Sequence, residues 1–382
     1  MSRILAKMDR KLLIVSIIMF LFGLLMIFSA SSVRAALSGN PYSVFIKHSI
    51  TLVICFIVSF FIIITPIKNY KKLAPLALYG IIITLIVLFS YGAVINSARR
   101  WLDLGFYSLQ PSEFAKTILI VYIAVYYFKY KDSLNPVLLF KPLFYGFIIA
   151  MLTFFQPDFG TATIIIGLVA LIFLSLPVDK KIKTKAFQIG IGAILIIVLT
   201  FMLNGKTLFR QGQIDRLTFL NPCQRYTQST GYQVCNGFIA INNGGLFGVG
   251  LGNSTQKYLY LPAAYTDFIF PVIVEELGLI VGLLIILTYI FILCRILRIA
   301  NKSYNLMASI IAYGVFVYIL LHIIVNLVGV LGLFPLTGAP LPFLSYGGSY
   351  VLNLAICLAL VQRIEIENNI KQKEKLLKRG KR

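Results

Sequence analysis

Residues 267–294 read DFIFPVIVEELGLIVGLLIILTYIFILC, and this stretch decides the fold. Apart from Asp267, Glu275 and Glu276, it contains almost only apolar and aromatic side chains. As one α-helix it would be about 40 Å long, whereas the hydrocarbon core of a bilayer is about 30 Å thick. The stretch therefore predicts a membrane-spanning helix with Asp267 at the outer surface, where water and lipid headgroups can reach it.

The rest of the chain has the same character. Of its 382 residues, 59% are hydrophobic and only 13% are charged, whereas soluble domains carry roughly 25% charged residues. This composition excludes a soluble enzyme, a disordered protein and a disulfide-rich secreted scaffold. Together the apolar runs predict an all-α polytopic integral membrane protein with ten transmembrane helices. The runs are 12–33, 44–66, 73–92, 109–128, 142–156, 160–177, 186–203, 267–294, 304–333 and 346–362.

The distribution of basic residues predicts the orientation. With a cytoplasmic N-terminus, most of the 35 lysines and arginines fall on cytoplasmic segments, as the positive-inside rule requires. This placement accounts for the net charge of +22 without a nucleic-acid partner. Both termini are then cytoplasmic, residues 1–363 form one ten-helix domain, and residues 204–265 form a large outer loop between helices 7 and 8. The basic cytoplasmic tail, residues 364–382, is either a solvated anchor or a binding segment for anionic lipid or a partner.

The acidic residues indicate a site that faces outward. Six of the thirteen lie on cytoplasmic segments and are expected to be ordinary surface residues. Ionisable groups at membrane depth are costly and indicate function. An outward-facing enzyme has no supply of ATP, so its activated substrate must arrive already in the membrane. The seven acids in outer loops or in the helices that border them are Asp103, Glu113, Asp158, Asp215, Asp267, Glu275 and Glu276.

Two short motifs carry candidate polar groups. Glu113 and Lys116 are three residues apart, so they share one helix face and can pair. They either form a neutralised pair that lets the helix insert or take part in chemistry. Asp158 lies in an abrupt turn, residues 156–160, and is either the N-cap of the sixth helix or a site residue.

Two outer segments predict irregular backbone. The glycine-rich segment 244–253 suits backbone that lines a cavity, which is allowed at membrane depth only where protein or water covers it; the alternative is a floppy loop. Residues 332–349 contain three prolines and no charge, which favours a broken, re-entrant passage between the last two helices. Close helix packing through Gly347 and Gly348 is the alternative there.

The cysteines and histidines show no metal-ligand spacing. Cys223 and Cys235 are twelve positions apart in the outer loop, in a compartment that can be oxidising. They form either a disulfide or two free thiols. The other three cysteines are expected to be small apolar core residues. His322 is isolated in the ninth apolar run, and a packed or hydrogen-bonded role is expected for it.

Three motifs resemble a known family. Tyr265-Thr-Asp-Phe-Ile-Phe, Glu275-Glu-Leu-Gly and Pro342-Phe-Leu-Ser-Tyr-Gly-Gly-Ser are similar to motifs of the SEDS proteins (shape, elongation, division and sporulation). This RodA/FtsW/SpoVE family comprises bacterial peptidoglycan polymerases, and the resemblance covers essentially the whole chain. Residues 250–262 are more similar to the division type, FtsW, and residues 338–343 to the elongation type, RodA. We expect the division type.

The resemblance implies a peptidoglycan glycosyltransferase at the outer face of the bacterial cytoplasmic membrane, acting in septal cell-wall synthesis. Lipid II, a lipid-linked disaccharide-pentapeptide, would be both donor and acceptor, and undecaprenyl diphosphate would leave. A carboxylate would act as base on the sugar hydroxyl, and cations would stabilise the leaving diphosphate. The implied catalytic residues are Asp267, Lys116 and Glu113, and the implied substrate-binding residues are Arg99, Arg100, Asp158, Gln256 and Ser345.

The resemblance also bears on cofactors, partners and rival functions. A divalent cation, Mg²⁺ or Mn²⁺, could be shared with the diphosphate, although no ligand set is visible in the sequence. The implied partner is a class B penicillin-binding protein, a transpeptidase, with further divisome or elongasome proteins and membrane lipids. Two rival functions stay open: a lipid II flippase, and a non-enzymatic scaffold for the transpeptidase. Outward-biased acids favour chemistry at one face, since a flippase requires polar residues along its whole path.

Overall fold

The computed structural model describes residues 7–95, 98–103, 105, 108–131, 136–203, 220–227 and 229–379. Eleven α-helices make up most of this described part, and two short 3-10 helices occur at Ile67–Asn69 and Pro222–Arg225. In chain order the helices are α1 Arg10–Leu37, α2 Ser43–Ile64, α3 Tyr70–Tyr91, α4 Pro111–Lys129, α5 Pro136–Phe155, α6 Phe159–Ser175, α7 Lys180–Leu203, α8 Ser229–Gly244, α9 Ile269–Asn301, α10 Leu306–Val330 and α11 Gly348–Arg379.

The helices follow the apolar runs of the sequence. Ten of them coincide with the ten runs, and α8 lies within the segment predicted as the outer loop. Among the described residues, seven helices are long and apolar enough to cross a membrane, and α6 is a shorter apolar helix of 17 residues. The expectation of a helical, multi-pass membrane protein is confirmed in this coarser form. The count of ten spans stays a prediction.

A small β-sheet lies between α3 and α4, which the prediction of an all-α chain missed. Strands β1 (Ala93–Ile95), β2 (Ala98–Asp103) and β3 (Ser108–Leu109) are antiparallel and adjacent in that order. Pairing of the strands satisfies main-chain N–H and C=O groups of this connection that would otherwise need other partners. Because β2 carries Arg99 and Arg100, the sheet fixes both arginines just before α4.

α4 lies at the centre of the bundle. It packs against α3, α5, α6, α10 and α11, and nearly every side chain from Pro111 to Tyr127 is buried. In contrast, α2 and α3 leave many large apolar side chains exposed. A polar side chain on α4 therefore faces protein, where it needs a partner.

α9 is broken where the sequence predicted one continuous helix. Gly278 has a φ of 85° and a ψ of 167°, outside the helical region. The glycine-rich segment runs beside this break, and the Val249 N–H donates to the Glu275 carbonyl oxygen at 2.9 Å. A Cβ at Gly248 would lie 2.3 Å from the Glu276 carbonyl oxygen, so this approach requires glycine. The backbone of the segment therefore packs against the break in α9, whereas its apolar side chains are exposed, among them Leu246 at 59% and Phe247 at 81%.

The acids that the sequence predicts to be cytoplasmic are not all ordinary surface residues, contrary to expectation. Asp9 is buried, caps the start of α1 and pairs with Arg295 of α9. Glu367 of α11 pairs with Arg363 of the same helix at 2.9 Å and accepts from the Ile67 N–H, between α2 and α3, at 2.9 Å. Both acids serve packing, because they hold helix ends together. α11 itself continues without a break past position 363, and the predicted division into domain and tail stays a prediction.

Candidate active site

The connection between α10 and α11 forms the centre of the candidate site. We call residues 331–347 the proline loop, and they are non-helical throughout. Phe343 and Leu344 are fully buried. A Cβ at Gly23, in the middle of α1, would lie 2.1 Å from the Phe343 carbonyl oxygen, so the loop packs directly against that helix. The predicted break between the last two helices is present in the structure, and re-entry of the loop into the membrane stays a prediction.

Asp267 lies immediately before α9 and against the proline loop. The Asn326 side-chain amide donates to the main-chain oxygens of Asp267 and Ala339, both at 2.8 Å. The Thr266 hydroxyl donates to the Asp267 carboxylate at 2.9 Å. A Cβ at Gly338 would lie 3.8 Å from that carboxylate, which therefore faces the loop. Asp267 as a whole residue is partly exposed.

Glu113 and Lys116 form an ion pair inside the bundle. The Lys116 ammonium lies 2.8 Å from the Glu113 carboxylate, and both side chains are buried. Nε2 of His322 is 3.1 Å from the same ammonium, and the Tyr318 ring centroid is 5.5 Å from it. These groups enclose the ammonium, and Lys116 has no exposed surface. In this arrangement the Lys116 ammonium has no exposed surface for direct contact with a substrate, and its catalytic role stays a prediction.

His322 connects the α4 pair to the proline loop. Its Nδ1 lies 3.3 Å from the Pro340 carbonyl oxygen. Because Nε2 faces an ammonium, a neutral ring has its proton on Nδ1, which donates to Pro340. From the sequence, only a packing or hydrogen-bonding role was expected for His322. Its position in an apolar run could have indicated these polar contacts, because an ionisable side chain there needs a polar partner.

Asp158 stands at the start of α6, where it is the helix N-cap and also contacts two polar side chains, while its role in a site stays a prediction. Its carboxylate caps the helix by accepting from the Thr161 N–H at 3.2 Å. It also accepts from the Gln110 side-chain amide at 2.8 Å and lies 3.7 Å from the partly exposed guanidinium of Arg100. Gly160 presses this turn against the proline loop. Arg100, Gln110 and Asp158 therefore form a charged cluster at the same loop.

Three predicted substrate-binding residues lie apart from this cluster. The Arg99 guanidinium donates to the carbonyl oxygens at the end of α3, away from Asp158. Gln256 is buried, and its main-chain N–H donates to the Glu275 carboxylate at 3.3 Å. The Ser345 hydroxyl is buried within the proline loop, where it accepts from the Leu341 N–H at 2.7 Å. The structure gives Gln256 and Ser345 packing roles, and their contact with substrate stays a prediction.

Glu276 has a partner that the sequence did not indicate. Its carboxylate accepts from the Ser29 hydroxyl and lies 2.9 Å from the Lys257 ammonium, and all three side chains are buried. Glu275, beside it, accepts from the hydroxyls of Ser254 and Thr255. Two acids within one apolar run were a signal that polar partners must exist, but spacing alone could not identify them.

The described residues offer no ligand set for the divalent cation. No group of three or more His, Cys, Asp or Glu side chains among them is arranged to hold a metal ion. We derive no step through a metal, and the cation stays a prediction.

The structure joins Cys223 and Cys235 by a disulfide, with 4.9 Å between their Cα atoms. The bond connects the short helix Pro222–Arg225 to α8 in the predicted outer loop. Asp215, a further outer acid, lies outside the described residues.

The fold and the site define a polytopic helical membrane protein with a polar site at one end of its bundle. Residues 9–370 match the model of the FtsW/RodA/SpoVE family, which is described as a cell cycle protein. The chain belongs to this family, as its motifs indicated.

Relatives of similar length share about a third of the sequence. The chain is 34% identical to a probable peptidoglycan glycosyltransferase FtsW of Bacillus subtilis (strain 168), with 100% of this chain and 97% of the relative covered. It is 35% identical to the protein of the same name from Coxiella burnetii, over 94% and 96% of the two chains. Identity to the stage V sporulation protein E of B. subtilis is 32%, over 93% and 96%.

Solved structures share the fold. A chain from a peptidoglycan synthase complex, whose structure concerns the coordination of polymerization and crosslinking, matches with a TM-score of 0.74 and 22% identity. The match covers 94% of this chain and 98% of that one. The rod shape determining protein RodA of Thermus thermophilus matches with a TM-score of 0.67 and 21% identity, over 94% and 97%.

Proposed function

We propose that this protein is a peptidoglycan glycosyltransferase that polymerises lipid II at the outer face of the cytoplasmic membrane during cell division. The observation that carries the proposal is the carboxylate of the partly exposed Asp267, which lies against a loop that the buried His322 also contacts. The names of relatives that match nearly the whole chain support the activity and the division role. The elongation role of RodA is the alternative.

The reaction assigns one proton transfer to Asp267. A sugar hydroxyl of one lipid II attacks the anomeric carbon of the other, and the Asp267 carboxylate accepts the hydroxyl proton. The bond from the anomeric carbon to the diphosphate oxygen breaks as the new glycosidic bond forms. Undecaprenyl diphosphate leaves with the bonding electrons, so negative charge develops on its oxygens.

Cationic groups at the loop would stabilise that charge. Arg100 is the best placed for direct contact, since its guanidinium is partly exposed and lies beside Asp158. Lys116 is enclosed, so its contribution is to hold the proline loop through His322 and to place a positive charge behind it. Glu113 keeps Lys116 in position.

Topology and partners complete the proposal. Ten helices span the membrane, both termini are cytoplasmic, and α8 with its disulfide belongs to the large outer loop. This orientation is supported by the basic residues of the sequence. The partner is a transpeptidase of the class B penicillin-binding type, which cross-links the strands as they form. The likeness to a chain of a peptidoglycan synthase complex supports such a partner.

One assay separates the three candidate functions. The purified protein, alone and with the transpeptidase, is reconstituted in vesicles and given fluorescent lipid II. We expect long glycan strands on a denaturing gel, most abundantly with the partner. Lipid moved across the bilayer without strands would favour a flippase, and neither product would favour a scaffold.

A further inference from the structure

A second polar cavity lies at the outer end of α1, beside the segment that leads to Asp267. It has a volume of about 490 Å³ and separates the last turn of α1 from residues 257–265. Its lining includes two cations, a hydroxyl and apolar side chains. The lining residues include Arg34, Leu37, Ser38, Lys257 and Leu259.

The floor of the cavity is fixed by the buried ion pair. The Lys257 ammonium lies 2.9 Å from the Glu276 carboxylate and donates to the Gly252 carbonyl oxygen at 2.6 Å. The Ser29 hydroxyl of α1 donates to the same carboxylate at 2.7 Å. The charge of Lys257 is thus balanced by Glu276, and these contacts tie α1, α9 and the cavity wall together.

The rim of the cavity carries a positive charge that the floor does not balance. Arg34 is exposed and makes no ion pair with any residue that the structure describes. The described lining contains no acid. Next to Arg34, Leu37 is 71% exposed and Leu259 is 56% exposed. A cation beside exposed apolar side chains at the membrane surface suits an anion attached to a hydrocarbon chain.

The wall of the cavity holds an unfavourable backbone conformation. Leu259 has a φ of 70° and Ala263 a φ of 57°, both in the left-handed region that such residues rarely adopt. Main-chain hydrogen bonds hold the wall, among them Leu261 N–H to the Gln256 oxygen at 2.9 Å. Strain of this kind persists where the surrounding structure enforces it, and it occurs most often at ligand sites.

We propose that this cavity binds the phosphate group of an outer-leaflet lipid. The Arg34 guanidinium pairs with the phosphate, and the hydrocarbon chain lies along Leu37 and Leu259. Anionic phospholipids and polyprenyl phosphates share this chemistry, so either can supply the ligand. Asp267 does not line the cavity, and the proposal does not depend on the proposed polymerase activity, because binding can be measured without turnover.

Photo-crosslinking tests the site directly. The full-length protein carries p-benzoylphenylalanine in place of Ser38 and is purified in a maltoside detergent, which contains no phosphate. Phosphatidylglycerol, undecaprenyl phosphate or the uncharged diacylglycerol is added, and lipid adducts are quantified by mass spectrometry. We expect adducts with the phosphate-bearing lipids, and the one that outcompetes the other identifies the source.

Variants in the same background assign the binding to Arg34. Arg34→Gln should reduce the phosphate-lipid adducts about tenfold or more, and Arg34→Lys should retain most of them. Lys47→Gln removes another exposed outer cation, which does not line the cavity, and should change nothing. Each variant changes an exposed residue, and a native gel-filtration profile shows that the variant is not misfolded. Equal labelling by diacylglycerol, or adducts unchanged in Arg34→Gln, would overturn the proposal.

Discussion

The pairs Glu113–Lys116 and Glu276–Lys257 are both buried and almost equally short, at 2.8 and 2.9 Å, but they are connected differently. The first lies within one turn of α4, and its ammonium also contacts His322, which leads to the proline loop. The second joins two distant segments, and Ser29 of α1 adds a third. A pair within one helix can neutralise itself without the rest of the fold, whereas the second pair clamps the fold together. We therefore expect the first to matter mainly for activity and the second mainly for stability.

The largest effect on stability is expected at the clamp. Lys257→Met or Glu276→Gln alone leaves a buried charge unpaired, which costs about 3–5 kcal/mol. The double variant removes both charges and should recover most of the loss. Thermal unfolding of detergent-purified protein measures this. A clamp role would be contradicted if neither single variant lowered the unfolding temperature.

The α4 pair should separate stability from activity. Lys116→Met alone should lose stability by the same mechanism, and Glu113→Gln/Lys116→Met should regain it. Strand synthesis by this double variant should nevertheless stay as low as in Lys116→Met, because the contact with His322 is gone. The rates are normalised to folded protein. If the double variant regained activity, the pair would serve only to neutralise the charges of a helix that is inserted in the membrane.

His322 provides the next test, with a smaller expected effect. His322→Phe keeps an aromatic ring between Tyr318 and Tyr350 but removes the contacts with Lys116 and Pro340. A buried donor without an acceptor costs about 1–3 kcal/mol, and strand synthesis should fall about tenfold. His322→Gln, which can both donate and accept, should retain more activity.

The matched control for this variant is His48→Phe. His48 is also buried, and neither ring nitrogen has a hydrogen-bond partner in the described part of the chain. Its substitution should be nearly neutral for strand synthesis. Equal losses in the two variants would mean that His322 contributes only packing.

The smallest effect is expected in the proline loop. Gly338→Ala places a Cβ 3.8 Å from the Asp267 carboxylate at a φ of 71°, a conformation that costs about 1–2 kcal/mol with a side chain. Gly39→Ala imposes similar strain at a φ of 93° with nothing within 4 Å. Only the first should reduce strand synthesis, by about twofold if half of a cost of about 1 kcal/mol raises the activation free energy. Equal rates of strand synthesis in the two variants would mean that the conformation of the proline loop does not affect catalysis at Asp267.

The two ion pairs also show which features of the structure the sequence could predict and which it could not. Apolar runs located the helices, and spacing found Glu113–Lys116, because both depend on neighbours along the chain. The contacts of Lys116 with His322 and of Glu276 with Lys257 depend on tertiary packing, so no local pattern revealed them. The sheet that turns Arg99 away from Asp158 was missed for the same reason. Gln256 and Ser345 were chosen by resemblance, and burial gives them packing roles.

The central claim is that Asp267 is the base of a glycosyl transfer at the proline loop. Asp267→Asn preserves the size of the side chain and removes its basicity. Asp103→Asn makes the same change at an exposed acid of β2, outside the candidate site. The most direct measurement is strand synthesis from fluorescent lipid II by both variants with the transpeptidase partner, at equal amounts of folded protein. We predict a loss of about 100-fold or more for Asp267→Asn and none for Asp103→Asn, whereas full activity of Asp267→Asn would contradict the account.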